Sequence, residues 1–144
     1  MQDAALEILE GSWEELGTEA SEIRRVVFIE EQRVPQEEEW DGRDPGCCHF
    51  LALLDNRPVG TARLLPDAHI GRVAVLPQAR GLGIGAILMR AAIAAARRDG
   101  HAAVELAAQT HALAFYEQLG FMAFGEPFLD AGIPHRSMRL IIDD

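Results

Sequence analysis

The sequence predicts a single-domain mixed α/β (α+β) fold, in which a mostly antiparallel sheet of six to seven strands is flanked by about four helices. Three observations predict it. The chain has 144 residues, enough for one domain that buries roughly 70% of its unfolded surface. Short apolar segments are grouped between turn residues, as antiparallel strands are, and longer segments show helical periodicity. No repeat or linker interrupts residues 1–144, so we expect one domain.

The first third of the chain predicts one strand and one long helix. The strand is expected at Ala5–Leu9 and the helix from Thr18 to about Gln32, with Thr18 or Ser21 as its N-cap. Val34-Pro35 should end the helix, because a residue before proline avoids the helical conformation. Residues 36–46 are acidic and predict a loop or a short helix.

The middle of the chain predicts an antiparallel meander followed by a helix. Strands are expected at His49–Leu54, Val59–Leu65 and His69–Leu76, the first two forming a hairpin. The segment Arg80–Gly85 contains three glycines and leads into a strongly amphipathic helix that ends near Arg98.

The last third predicts a strand at Ala103–Ala107, a helix at His111–Leu119, and two strands at Phe121–Phe128 and His135–Ile142. The unit from His69 to Ala107 reads strand–helix–strand. We therefore expect it to be a right-handed crossover that joins parallel neighbours.

Composition excludes several classes of protein. No apolar run reaches the ~18 residues that span a membrane, and the N-terminus has no signal-peptide pattern, so a cytoplasmic location is expected. The net charge of −10 disfavours binding to nucleic acid or to anionic lipid. Cys47 and Cys48 are adjacent and predict two free thiols rather than a disulfide.

The glycine segment predicts an anion site. Gly81, Gly83 and Gly85 leave the backbone N–H groups of Leu82 to Ala86 free to converge at a helix N-terminus, where phosphate is favoured. Arg80 adds a full positive charge at its mouth. The alternative interpretation is an ordinary tight turn with three glycines.

A dinucleotide fingerprint also matches formally, because Gly81-x-Gly83-x-x-Ala86 is followed about 20 residues later by Glu105. Three features count against it. Residues 76–80 separate the preceding strand from the first glycine, the strands before the loop predict a meander, and too little chain remains for a dinucleotide domain. No Lys-Ser/Thr pair follows the glycines, so a Walker loop is absent.

Two sequence blocks resemble the GNAT superfamily of acyl-CoA transferases. The first is Arg80-Gly-Leu-Gly83-Ile-Gly85 after Val73-Ala-Val75-Leu-Pro77, and the second is Ala114-Phe115-Tyr116-Glu117-Gln118-Leu119-Gly120-Phe121. Within the superfamily the chain is most similar to the ElaA-like branch. Three segments carry that similarity: Val27–Pro35, Ala108–His111 and Gly132–Met138.

The resemblance implies a GNAT-like sheet with a V-shaped splay between the strands at 69–76 and 103–107. It implies acetyl-CoA as cosubstrate and direct attack by an amine in a ternary complex. The implied cofactor-binding residues are Val73, Ala74, Val75, Arg80, Gly81, Leu82, Gly83, Ile84, Gly85, Ala86, His111 and Phe115. Val73 and Val75 can also serve as core residues, since their binding groups are main chain.

The resemblance places Tyr116 near the sulfur as general acid, the alternative being a buried tyrosine without a catalytic role. The general base stays open among His69, His111, His135 and Glu105, each of which can equally be structural. Histidine suits this task because its pKa lies near neutrality. No metal-ligand spacing is present, so no metal is expected.

The acidic residues between Glu30 and Asp44 usually indicate only a solvated face. In this family they precede the acceptor side, so they favour a small cationic amine as acceptor. The competing function is an acetyl-CoA sensor without turnover. A monomer or a homodimer is expected, with no nucleic-acid or membrane partner.

Overall fold

The computed structural model describes residues 5–142, which form seven strands and four α-helices. The strands are β1 Leu6–Gly11, β2 Cys48–Leu54, β3 Arg57–Leu64, β4 Ile70–Val75, β5 Ala103–Gln109, β6 Met122–Asp130 and β7 Ile133–Ile141. The helices are α1 Trp13–Arg24, α2 Gln36–Glu39, α3 Ile84–Arg98 and α4 Leu113–Gln118. This mixed, mostly antiparallel architecture is the fold that the sequence predicts.

The strands form two antiparallel sheets in the orders β1-β2-β3-β4 and β5-β7-β6. A parallel bridge between His69 and Glu105 joins them at the start of β4. Beyond it, no further pairing joins β4 to β5 in residues 5–142, so the two strands diverge. The predicted splay is confirmed, and the crossover joins parallel neighbours at this bridge alone.

Helices cover both faces of the first sheet. The apolar side of α3, including Leu88 and Met89, packs with Phe50 and Ala52 of β2. Leu51, which points to the other face because side chains alternate along a strand, packs with Ile23 of α1. None of the helices in residues 5–142 is long and apolar enough to cross a membrane.

The start of the first helix differs from the prediction. The helix begins at Trp13 rather than Thr18, and its N-cap is Ser12 rather than Thr18 or Ser21. Ser12 and Glu15 form a reciprocal capping box, which satisfies two backbone N–H groups. That cap outweighs the low helix propensity of Gly17, which packs under the ring of Trp13.

The second half of this helix is also unusual. Residues Arg25–Glu31 are π-helical, and the backbone N–H of Gln32 accordingly donates to the carbonyl of Val27 at 3.1 Å. π-Helical turns occur mostly as local bulges near functional sites. Here the widened turns carry Phe28 and Gln32 to the edge of the cleft described below.

Candidate active site

The glycine loop, residues 80–86, has the open shape that an anion site needs. Gly81 and Gly83 have φ angles of +81° and +80°, in the left-handed region that favours glycine. A Cβ added to either would meet nothing within 4 Å, so their outer surface is free. Leu82 between them is 60% exposed. The loop is therefore neither buried nor plugged by side chains.

The loop ends in the N-terminus of α3. Within residues 5–142, the backbone N–H groups of Leu82 to Ala86 have no backbone acceptor, because the first bond of the helix is donated by Ile87 to the carbonyl of Gly83. Gly83 is the N-cap and brings no side chain to these groups. The first turn of α3 contains no acidic residue, so its partial positive charge is not offset locally.

Arg80 lies at the loop as predicted, but its positive charge is paired. Its guanidinium donates to both carboxylate oxygens of Glu31 at 2.8 and 2.6 Å, and its Nε donates to the carbonyl of Val75 at 2.9 Å. The pKa of Arg80 is raised by its hydrogen bonds to Glu31. Arg80 thus fastens the loop to the end of β4 and to the π-helical segment.

Phe115 and the strand residues predicted to bind cofactor surround the loop. The ring of Phe115 lies 3.4 Å from the position that a Cβ on Gly85 would take. Ala74 and Ile84 are buried, while Val73, Val75 and Ala86 are half-buried. The side chains of Val73 and Val75 pack against the core, which leaves their main chain as the group able to bind.

A cleft of about 770 Å³ opens where the two sheets diverge. Residues from segments 28–43, 63–73, 106–116 and 130–135 line it. Val73, His69, His111, His135 and Tyr116 all lie on its wall. Glu105 is connected to the cleft through His69. The structure therefore brings together the candidate acid and every candidate base.

Tyr116 packs against aromatic neighbours with its hydroxyl free. Its ring contacts Phe115 and Phe121 edge-on, at centroid distances of 4.9 and 6.1 Å. Burial raises the pKa of Tyr116 to about 12. Among residues 5–142, we find no hydrogen-bond partner for the hydroxyl. The phenol therefore stays protonated throughout the physiological pH range.

His69 is flanked by two carboxylates at the vertex of the V. Its Nδ1 lies 3.1 Å from Asp67 Oδ1 and its Nε2 lies 3.6 Å from Glu105 Oε1. Glu105 is itself held by Arg139, whose Nε donates at 2.8 Å. The His69 side chain is about half exposed, so it can exchange protons with solvent or substrate.

The other two histidines of the cleft differ from His69 in their surroundings. His135 is buried, stacks on Phe128, and places Nδ1 2.6 Å from the carbonyl of Ile133. That contact requires a proton on Nδ1, so only Nε2 is left to accept one. His111 is exposed in the short 3-10 turn before α4. Neither has a carboxylate partner among the ion pairs of residues 5–142.

The acidic segment is not the uniformly solvated face that the sequence indicated. Glu39 and Asp44 are buried, because both receive hydrogen bonds from the guanidinium of Arg24 at 2.7 Å. Arg24 in turn lies between the rings of Trp13 and Trp40. The exposed members, such as Glu37 and Glu38, still fit the original interpretation.

Sequence reasoning missed three arginines and one glutamine at the cleft. Arg63 and Arg72 line the cleft wall, and Arg24 stands behind it. Gln109 donates from Nε2 to Gln32 Oε1 at 2.8 Å and so connects β5 with the π-helical segment across the open V. The sequence signal that could have revealed these residues was Arg24, a charged residue that lies beside the buried residues Ala20 and Ile23 on α1.

Comparison with known proteins identifies the family. The family model described as the acetyltransferase (GNAT) domain matches residues 18–142. The chain belongs to the GNAT family. YjcF, an uncharacterized N-acetyltransferase of Bacillus subtilis, is 39% identical over 129 residues, covering 87% of this chain and 92% of the relative.

Two crystal structures extend the GNAT relationship to the whole fold. An acyl-CoA N-acyltransferase from Pseudomonas aeruginosa is 34% identical with a TM-score of 0.83, covering 94% of this chain and 99% of the other. Escherichia coli ElaA is 29% identical with a TM-score of 0.83 and the same coverage. The predicted resemblance to the GNAT superfamily and its ElaA-like branch is confirmed, and family membership supports N-acetyltransferase activity in general.

Proposed function

We propose that this GNAT protein transfers the acetyl group of acetyl-CoA to the primary amine of a small cationic acceptor, by direct attack in a ternary complex. The observation that carries the proposal is the open glycine loop at the N-terminus of α3, with unpartnered amides from Leu82 to Ala86 in the described chain. The names of YjcF and of the Pseudomonas enzyme support N-acyl transfer from CoA thioesters.

The residues present fit the phosphates of acetyl-CoA. A row of free amides and a positive helix end offers hydrogen bonds and charge to a diphosphate, contributing up to ~2 kcal/mol per helix end. Arg80 contributes by holding the loop in shape against Glu31 and Val75. Acetyl-CoA supplies the acetyl thioester when bound.

The backbone of β4 supplies the electrostatic part of catalysis. Across β3 and β4, Arg63 pairs with Gly71 and Thr61 with Ala74, so Ala62 lies opposite both Arg72 and Val73. Such a bulge leaves an unpaired residue and disrupts the ladder locally. An amide freed at Val73 would polarise the acetyl carbonyl, which is often the largest single contribution to acyl transfer.

Tyr116 acts as the general acid in this proposal. Its proton passes to the sulfur as the carbon–sulfur bond breaks and the new carbon–nitrogen bond forms. A phenol with a pKa of about 12 gives up its proton only while charge develops on the sulfur. A released thiol, with a pKa near ~8.5, is a stronger acid than this phenol, so the proton transfer is uphill and the site must offset its cost.

His69 is the general base that the surroundings favour. An acceptor amine must lose a proton to become a nucleophile, and His69 can take it at a ring nitrogen while Asp67 holds the other. Glu105, His111 and His135 stay as alternative bases. Asp67 and Glu105 on either side of the ring would stabilise the imidazolium that forms.

The acceptor class follows from the charges that line the cleft. Six carboxylates and three guanidiniums lie on its wall, which leaves an excess of negative charge. The carboxylates are Glu37, Glu38, Glu39, Asp41, Asp67 and Asp130, and the guanidiniums belong to Arg43, Arg63 and Arg72. A cationic amine is attracted to such a surface and an anionic acceptor is repelled.

One experiment tests the proposal against its competitors. The melting temperature is measured with acetyl-CoA, CoA and NAD, and free-thiol release is then followed with neutral, anionic and cationic amines. A ligand at 100 times its Kd adds ~2.7 kcal/mol of stability, which shifts the melting temperature by several degrees. Stabilisation by NAD alone would contradict the proposal, and binding of acetyl-CoA without thiol release would favour the sensor.

A further inference from the structure

Six charged side chains form a closed ring in the wall of the cleft. In order around the ring they are Arg24, Glu39, Arg72, Asp41, Arg63 and Asp44. The six successive nitrogen–oxygen distances are 2.7, 3.1, 3.4, 2.6, 3.0 and 2.7 Å. Arginines and carboxylates alternate, so three positive charges meet three negative ones and the ring is neutral.

A buried ring of this kind is a poor device for stability alone. Arg24, Glu39, Asp44 and Arg63 are each at most 5% exposed. Removing charges from water is energetically costly, and replacement of buried pairs by apolar residues is often neutral or stabilising. The ring can instead fix the relative positions of its side chains, because each guanidinium has fixed donor directions that orient the carboxylates bound to it.

One member of the ring lies on the β4 bulge. Arg72 has a φ of +51°, a left-handed conformation that is unfavourable for a residue with a side chain. Its Nη2 donates to the carbonyls of Glu38 and Glu39 at 3.3 and 3.2 Å and to Asp41 Oδ2 at 3.4 Å. Its Nε lies 3.1 Å from Glu39 Oε2 and forms an ion pair there without a hydrogen bond. Four contacts thus hold a strained residue in place.

We propose that Arg72 is a positioning residue, whose side chain fixes the bulge at Arg72–Val73 by tying it to α2 and the loop that follows. This inference rests on the proposed function, in which an amide freed by the bulge polarises the acetyl carbonyl. The Arg72 side chain would also connect the acceptor side of the cleft, formed by Glu38, Glu39 and Asp41, with the strand that meets the acyl group.

The alternative is that the left-handed backbone alone shapes the bulge, with the side chain irrelevant. Two variants distinguish these explanations. Arg72→Gly removes the side-chain contacts but keeps the left-handed backbone conformation accessible. Arg72→Ala removes the same contacts and leaves the backbone strain. Arg72→Lys keeps the positive charge, and Asp41→Asn weakens the contact between residues 41 and 72 without changing Arg72 itself. Arg98→Ala, which breaks a surface pair with Glu10, is the matched control.

Three quantities are measured on each variant: kcat and KM with acetyl-CoA, the melting temperature, and hydrogen exchange of the amides of residues 71–74. We expect Arg72→Gly and Arg72→Ala both to lower kcat by between about tenfold and 10²-fold, with KM for acetyl-CoA changed much less. Amide exchange should rise in both. Arg72→Lys should recover part of kcat, Asp41→Asn should show a smaller loss, and Arg98→Ala should match the wild type.

Wild-type kcat in Arg72→Gly would overturn the inference, and so would unchanged exchange in all Arg72 variants. If the wild type itself acetylates no amine, the proposed function fails separately. Hydrogen exchange then still decides whether the Arg72 side chain holds the bulge. Faster exchange in both Arg72→Gly and Arg72→Ala supports that role, and unchanged exchange contradicts it. If one variant does not fold, Arg72→Lys and Asp41→Asn carry the same comparison.

Discussion

In the proposed reaction, single side chains in the cleft divide the two proton transfers that amide formation requires. Tyr116 is enclosed by Phe115 and Phe121, and burial raises its pKa to about 12, which keeps the proton on the phenol. His69 is half exposed and lies between two carboxylates, with Asp67 Oδ1 3.1 Å from its Nδ1 and Glu105 Oε1 3.6 Å from its Nε2. The proposal therefore gives the acid role to the buried phenol and the base role to the exposed imidazole.

The first prediction concerns Tyr116→Phe. We expect kcat to fall by ~10²–10⁴-fold with little change in acetyl-CoA affinity, because only the transferable proton is removed. The ring contacts with Phe115 and Phe121 stay, so the melting temperature should match the wild type. Thiol release under saturating substrates and calorimetric titration with acetyl-CoA give the two numbers. An unchanged kcat would exclude Tyr116 as the acid.

The second prediction concerns the base. His69→Gln should lower kcat by about 10²-fold, since a neutral amide cannot accept the proton. His101→Gln is the matched control, because His101 lies in the connection between α3 and β5, outside the cleft lining. Comparable losses in His135→Gln, with His69→Gln active, would move the base to His135.

At the scale of elements, α3 and its glycine loop form the proposed cofactor-binding unit. The helix was predictable because its apolar residues recur at helical spacing. The loop was predictable because Gly81 and Gly83 precede the helix and Gly85 lies in its first turn. By contrast, the start of α1 at Trp13 was not predicted. Its capping box depends on Ser12 and Glu15, a pattern that the low propensity of Gly17 obscured.

The third prediction compares the two ends of α3. Gly83→Ala and Gly100→Ala both place a side chain at a positive φ, +80° and +88°, where a Cβ meets nothing within 4 Å. Both should therefore lose similar stability, about 1–2 kcal/mol. Only Gly83→Ala should also weaken acetyl-CoA binding, by about tenfold, because its methyl group enters the amide row. Equal affinities of the two variants, measured by titration, would place the phosphates elsewhere.

At the scale of the whole molecule, part of the acidic charge is paired inside the charged ring. The net charge is −10, yet the ring of Arg24, Arg63 and Arg72 neutralises three of the carboxylates that the sequence counted as free. The hydrogen bonds from Arg63 hold the pKa of Asp41 well below its ordinary value of 3.8. Folding and pH are therefore linked through this ring.

The fourth prediction is an acid limit to stability that depends on Asp41. A carboxyl with a lowered folded pKa stabilises the fold above its unfolded value near 3.8, and this contribution is lost as pH falls below it. The melting temperature of the wild type should exceed that of Asp41→Asn at pH 7, and the difference should shrink toward pH 2. Asp99→Asn, outside the ring, is the control. A difference that is constant with pH would contradict the linkage.

Local pattern by itself determined the family resemblance, the seven-strand order, the glycine loop and the position of Tyr116, because each depends on residues close together in the chain. The tertiary structure decided which distant residues meet. Arg80 reaches Glu31 across 49 positions and Gln109 reaches Gln32 across 77. The bulge at Arg72 and the charged ring depend on strand register and on loops that pack together only in the folded chain, and sequence spacing does not encode such contacts.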